Sequence, residues 1–261
     1  MLRPRIIPSL LIHDNGLVKT KNFKNPVYVG DPINAVKIFN EKEVDELIVS
    51  DIDATVLGNE PNFDLIKKFA EESRMPLCYS GGVKKIDHVS KIIQLGIEKV
   101  GISSGAINNL DFIKEASELV GSQSVVAILD VKKNFLGRYS IFTNNGTVKI
   151  KKDIKDVIQS LQDSGIGEIV INSIDKDGTQ EGYDIQLISQ LMNYVKVPIT
   201  ILGGAGSYEH IKSLVENFGI VGVAAGSLFV FQGRYNAVLI NFLPKENLKQ
   251  ISDIANKTYQ I

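Results

Sequence analysis

Apolar residues fall into eight short runs along the chain, and after each run they thin into stretches where they recur with helical spacing. The runs are Arg5–Ile12, Glu46–Ser50, Pro76–Ser80, Lys99–Ser103, Ser124–Asp130, Glu168–Asn172, Pro198–Leu202 and Ile220–Ala224. Each is rich in Val, Ile and Leu, which predicts strands covered on both faces. Between them, Asp31-Pro32 supplies a helix cap followed by proline at the first helical position, and Val36, Phe39 and Val44 follow. Phe63, Ile66 and Phe69, then Leu110, Ile113 and Ala116, then Ile154, Val157, Ile158 and Leu161, repeat the helical period. Eight strand-then-helix units in about 250 residues predict an α/β fold of the (β/α)8 barrel type, with an open doubly wound sheet as the alternative. No linker or low-complexity tract interrupts the alternation, so residues 1–261 are expected to form one barrel domain.

The chain also matches itself. Pro76-Leu77 with Gly81-Gly82 returns 122 residues on as Pro198-Ile199 with Gly203-Gly204. At the same spacing Glu46 falls on Glu168, Asp53 on Asp175, and Asn62-Phe63-Asp64 on Asp184-Ile185-Gln186. Gly101-Ile102-Ser103-Ser104-Gly105 matches Gly222-Val223-Ala224-Ala225-Gly226 with a one-residue slip. Four units per half suggest two fused half-barrels, a symmetry that a closed sheet accommodates and an open one breaks at its edges.

Composition narrows the function. With 29 Lys and Arg against 30 Asp and Glu, the chain has no field to gather nucleic acid or an anionic membrane. Cys78 is the only cysteine and His13, His88 and His210 are widely spaced, so neither an internal disulfide nor a Cys/His metal site is expected. The N-terminal apolar run is too short to span a bilayer, it lacks a small-residue cleavage site, and no later run reaches about 18 apolar residues. A cytoplasmic protein is expected.

In a barrel the loops after the strands form the catalytic face. Gly81-Gly82, Ser103-Ser104, Gly203-Gly204 and Gly226-Ser227 follow the third, fourth, seventh and eighth runs. Glycine lets backbone N–H groups approach an anion, and hydroxyls add donors. The strand seven and eight pair is the usual barrel phosphate site, and the repeat supplies a second one opposite, which suggests an elongated substrate with a phosphate at each end. The plainer alternative is that these glycines serve tight turns. Asp51, Asp130, Asp175, Asp177 and Lys19 are the polar residues suited to chemistry. Asp130 ends an otherwise apolar run, where a carboxylate facing the mouth can act as general acid or base, or simply serve as a structural cap. Lys19, placed in the first loop, could clamp or protonate an anionic substrate.

RIIPSL, Lys19, Gly30-Asp31-Pro32, DELIVSDIDA, SGGV, ILDVK, NSIDKDGT, GYD and GGAG together resemble the cyclase subunit of imidazole glycerol phosphate synthase, in order and over nearly the whole chain. The resemblance implies a duplicated half-barrel that takes ammonia from a separate glutaminase subunit in a heterodimer and passes it through the barrel. At the mouth the ammonia cleaves a doubly phosphorylated ribulosyl aminoimidazole intermediate, with no metal or organic cofactor. It further implies catalytic roles for Asp130, Lys19 and Asp51, and adds Asp177 and Gly178 to the phosphate-binding loops. Arg5, Glu46, Lys99 and Glu168 correspond to the family's ammonia gate, with Glu98 at the partner interface. Read from the residues alone, these charges open predicted strands and can pair in a closed network, which an ordinary barrel floor would also do.

One position departs from that family. It normally carries two catalytic aspartates, and the one at the end of the first strand is Leu11 here, in PSLLIHD. Leucine neither accepts nor donates a proton, and losing half of an acid/base pair costs on the order of 10²–10⁴ in rate. Asp14 is near enough to substitute only if the first loop is rearranged. The family's Asn-Thr after the fourth strand is Ser103-Ser104. The pattern is most similar to a divergent second copy associated with surface-polysaccharide genes, which implies ammonia supply to a separate sugar amidotransferase for amidino-sugar formation. Three readings follow: a barrel subunit for sugar amidation, an authentic cyclase of histidine biosynthesis with a replaced base, and a non-catalytic scaffold that activates a glutaminase.

Overall fold

The eight predicted runs are the eight strands of a closed parallel barrel. The computed structural model describes residues 3–258. Strands β1 (Arg5–His13), β2 (Leu47–Asp51), β3 (Leu77–Ser80), β4 (Lys99–Ile102), β5 (Val125–Lys133), β6 (Glu168–Ser173), β7 (Ile199–Leu202) and β8 (Gly222–Ala225) each pair with the next. β8 returns to β1 with Arg5 beside Gly222, which closes the sheet and excludes the open alternative.

Helices follow the strands: α1 (Pro32–Glu41), α2 (Phe63–Glu72), α3 (Ile86–Gln94), α4 (Leu110–Val120), α5 (Ile154–Asp163), α6 (Ile185–Leu191), α7 (Tyr208–Phe218) and α8 (Lys245–Thr258). Asp31 caps α1 by accepting from the Asn34 N–H, with Pro32 at the first position as the sequence predicts. Burial divides into two layers because strand side chains alternate. One side packs Leu10, Leu47 and Leu129 against helix residues such as Phe39, Phe69 and Leu161. The other fills the barrel with Ile7, Ile48, Cys78, Val126, Ile128, Val170 and Ala224, packed against Leu202.

Most strand ends shift by one or two residues from the prediction; Glu46 lies just before β2 rather than opening it. The larger difference is at β1 and β5, which run on into antiparallel hairpins. β1 continues into Gly16–Lys21 and Lys24–Gly30, and β5 into Tyr139–Thr143 and Val148–Lys149. Asp14 and Asn15 form the first hairpin turn with φ of 48° and 59°, the double left-handed conformation that tight hairpins need. Lys19 therefore sits on a strand, not in a loop.

The duplication is visible in contacts. Asn62 caps α2 and its repeat mate Asp184 caps α6. Asp53 accepts the Asp14 N–H at 2.8 Å, and its mate Asp175 accepts the Lys133 N–H at 2.7 Å. The hairpins also cross to the opposite half: Asn22 Nδ2 donates to the Ile174 carbonyl, and Asn145 Nδ2 donates to the carbonyl of Ile52, the repeat mate of Ile174.

Candidate active site

The C-terminal ends of the strands surround one deep cavity. Asp130, Lys19 and Asp51 line it, and so do Gly81, Gly82, Ser103, Ser104, Asp177, Gly178, Gly203, Gly204, Gly226 and Ser227. Residues that the sequence reading did not single out also line it, among them Ser9, Thr20, Phe23, Thr55, Lys84, Asn144, Asn145 and Asn172. Phe23, Asn144 and Asn145 arrive on the hairpins, whose pairing no strand-helix alternation reveals. Asn172 carries a faint sequence signal, a polar residue at the end of an apolar strand beside Asp130.

Leu11 and Asp130 face this cavity from β1 and β5. Asp130 stands in register with Asn172, whose Nδ2 donates to Oδ1 of Asp130 at 2.9 Å. Burial pushes the Asp130 carboxyl up to about 7; the Asn172 amide pulls the other way and the charge of Asp177 adds to the rise. Leu11 stands in register with Ser50, so the first half offers no proton carrier at the matching place. Asp14 does not replace it, because it forms the hairpin turn outside this cavity, in a neighbouring depression.

Lys19 is buried, and its Nζ donates to the Ser9 carbonyl at 2.6 Å. Burial lowers its pKa to about 8 against the pull of Asp177. Asp177 is occupied by the protein: Oδ2 accepts from Thr20 Oγ1 at 2.7 Å and from the Phe23 N–H at 3.1 Å, which pins the first hairpin to the β6 loop. Its carboxyl is raised by burial against the Thr20 bond. Gly178, beside it, is the member of that pair free of negative charge. Asp51 Oδ1 accepts the N–H groups of Asp53 and Ala54 at 3.0 Å, and burial still raises its carboxyl.

The glycine loops need glycine for space. Gly81 has φ +123° and a β-carbon there would lie 2.4 Å from the Asp51 carbonyl; Gly203 has φ +102° and would meet the Ser173 carbonyl at 2.7 Å. Asp51 and Ser173 are themselves repeat mates, so both halves bring backbone against backbone in the same way. Short helical turns, Ser104–Asn108 and Ser227–Val230, begin at the serines. Among the described residues the hydroxyls of Ser103, Ser104 and Ser227 make no hydrogen bond to protein, so they remain available as donors to a bound anion.

At the opposite end, the charges close into a ring. Arg5 donates to Glu46 at 2.5 Å and to Glu168 at 2.6 Å, and Lys99 to Glu46 at 2.9 Å and Glu168 at 2.8 Å. Burial alone would raise the Glu168 carboxyl, but Arg5 and Lys99 hold it below the usual range. Burial works against the Lys99 charge too, yet Glu168 and Glu46 keep its pKa above the ordinary value. Thr200, an unforeseen fifth member, donates to Glu168 at 2.6 Å and is fully buried. Glu98 lies outside the ring and accepts the Leu77 N–H at the start of β3. Among the described residues no cluster of His, Cys, Asp and Glu has the arrangement of a metal site, and no helix is long and apolar enough to cross a membrane.

A duplicated (β/α)8 barrel, with polar groups and glycine loops around one mouth and a closed charge ring at the floor, is the class of protein that these features define. The chain belongs to the family described as histidine biosynthesis protein, which matches residues 5–236. It is 53% identical over 243 residues to a protein of Leptospira borgpetersenii provisionally named an imidazole glycerol phosphate synthase subunit HisF, covering 93% of this chain and 96% of that one. A provisionally named subunit hisF2 of Pseudomonas aeruginosa is 50% identical over 242 residues, with the same coverage of each chain. The imidazole glycerol phosphate synthase subunit HisF of Streptococcus sanguinis is 35% identical over 229 residues, covering 88% of this chain and 91% of its own.

Proposed function

We propose that this chain is the ammonia-accepting barrel subunit of a glutamine amidotransferase-coupled synthase, diverted from imidazole ring closure to amidino-sugar formation. In this reading a glutaminase docks at the floor as a heterodimer, ammonia passes the ring of Arg5, Glu46, Lys99 and Glu168, and a phosphorylated small molecule sits at the mouth. The paired loops around Gly82 and Ser104, and around Gly204 and Ser227, hold its phosphates. A separate sugar amidotransferase completes the assembly.

The observation that carries the diversion is Leu11, which faces the cavity where the repeat puts a carboxylate on the other side. Imidazole closure as the family performs it uses two carboxylates, and here Asp130 works alone with Lys19. The similarity supports the same direction: the two provisionally named subunits above share 50% and 53% of residues with this chain, against 35% for the subunit of Streptococcus sanguinis. The retained loops, Lys19 and Asp130 favour a second reading, an authentic cyclase with a replaced base. A scaffold that only activates a glutaminase would have no use for a polar mouth.

The test uses ammonium salts and the ribulosyl aminoimidazole intermediate. The wild-type protein is expected to convert it at no more than about 10⁻² of the rate of Leu11→Asp, the lower end of what one acid/base group contributes. Asp130→Asn placed on Leu11→Asp should remove the gain. Rescue of a cyclase-lacking strain by the unmodified protein would return the chain to histidine biosynthesis.

A further inference from the structure

Asp130 with Asn172 on β5 and β6, and Leu11 with Ser50 on β1 and β2, are the same pair of positions in the two halves. In the first half Ser50 takes a hydrogen bond from Ser80 at 2.8 Å and Leu11 contributes nothing polar. In the second half a carboxyl meets an amide. Nδ2 of Asn172 donates to Asp130 at 2.9 Å, while Oδ1 of the same amide is buried and has no partner among the described residues. Gly203 flanks that idle oxygen, since a β-carbon there would lie 3.4 Å away.

A buried amide with one end unused is costly, unless the idle end is needed in another state of its neighbour. A carboxylate only accepts hydrogen bonds, whereas a carboxylic acid has one O–H to donate. An asparagine amide holds a donor and an acceptor at opposite ends of one short plane, so turning it end over end exchanges the two.

We propose that Asn172 is a positioning residue whose amide serves both protonation states of Asp130, donating through Nδ2 to the carboxylate and, reversed, accepting through Oδ1 from the carboxylic acid. The proposal rests on the reading of Asp130 as the proton carrier of this site. With leucine opposite, one carboxyl takes a proton from the reacting nitrogen or carbon and returns it to the leaving group. Asn172 stays neutral throughout, and no proton is gained or lost over the cycle. Burial places the Asp130 titration near 7, so both states are populated at neutral pH. The other titratable groups at the cavity are Lys19 on the first hairpin, Asp177 on the β6 loop, Asp51 at the end of β2 and Lys84 beyond β3. The hairpin strand packed on β5 sets Phe142 beside Asp130, and β7 contributes Leu202. Among these, Asn172 is the group in hydrogen-bond contact with the carboxyl.

The experiment is an NMR titration of the full chain without substrate or partner. Carbon-13 at the aspartate carboxyls, with Asp130→Asn for assignment, reads the Asp130 midpoint; nitrogen-15 reads the Asn172 side-chain amide. The amide signals are expected to move with the same midpoint as Asp130. Asn172→Leu should raise that midpoint by about one pH unit, because the carboxylate loses its donor. Asn172→Thr, whose hydroxyl can also turn between donating and accepting, should bring it back to within about 0.3 unit of wild type. Amide signals indifferent to the Asp130 titration would overturn the proposal, as would an unmoved midpoint in a folded Asn172→Leu. If the leucine variant does not fold, the wild-type amide signals decide the matter. Failure of the functional reading looks different: Asp130→Asn placed on Leu11→Asp would leave conversion of the ribulosyl aminoimidazole intermediate intact while the wild-type titration behaved as expected.

Discussion

A β-carbon added to Gly222 would lie 1.8 Å from Oγ1 of Thr200 and 3.1 Å from the guanidinium of Arg5. The missing side chain on β8 is therefore what lets the Thr200 hydroxyl sit against Glu168 inside the charge ring. Gly222→Ala should destabilise the protein by about 1–3 kcal/mol through overpacking, measured by urea denaturation. Thr200→Ala vacates the contested space, so the double variant should lose less than the two single losses added together. Strict additivity would show that the two residues do not compete.

Lys99 bridges two nearly buried glutamates. Lys99→Met is expected to cost about 3 kcal/mol, because it leaves carboxylates at the floor with an incomplete partner set. Glu168 is held below its ordinary value of 4.5, so its contribution is present at neutral pH and is lost as pH falls through its folded-state titration. Glu168→Gln should accordingly flatten the acid limb of the stability profile, and an unchanged limb would sink that account.

Asp130 works in the opposite sense. Its carboxyl is raised from 3.8 to about 7, so the folded state binds a proton that the unfolded chain has released, and stability falls as pH rises between those values. Asp130→Asn should raise the melting temperature at pH 8, by a stability gain of at least about 1 kcal/mol, and the gain should vanish near pH 4. A variant less stable than wild type at pH 8 would contradict the burial argument.

The mouth should bind anions at two places. Sulfate soaked into crystals is expected near Gly82 and Ser104 and near Gly204 and Ser227, and Ser104→Ala with Ser227→Ala should weaken it. Lys19 faces the same cavity with a pKa lowered to about 8. Sulfate affinity in solution should therefore fall as pH rises through about 8, and Lys19→Met should remove that step. Calorimetry that finds a pH-independent affinity in wild type would rule Lys19 out as an anion partner.

By itself the sequence determined the barrel, because strands covered on both faces and helices covered on one leave a periodic trace that repeats after 122 residues. It also determined the strand ends on which the mouth is built, since Asp130 and the glycine pairs follow apolar runs, and the four floor charges lie at the opposite ends of theirs. Tertiary structure decided which of these groups meet. The Asp130 bond to Asn172 depends on the register of β5 against β6, the pinning of Asp177 by Thr20 on a hairpin that crosses to the other half, and Thr200's place in the ring on the glycine that stands in register with it on the neighbouring strand. Those contacts span 42, 157 and 22 residues of chain, and they are set by the register of neighbouring strands and the path of the hairpin, which no local pattern of apolar and polar residues encodes.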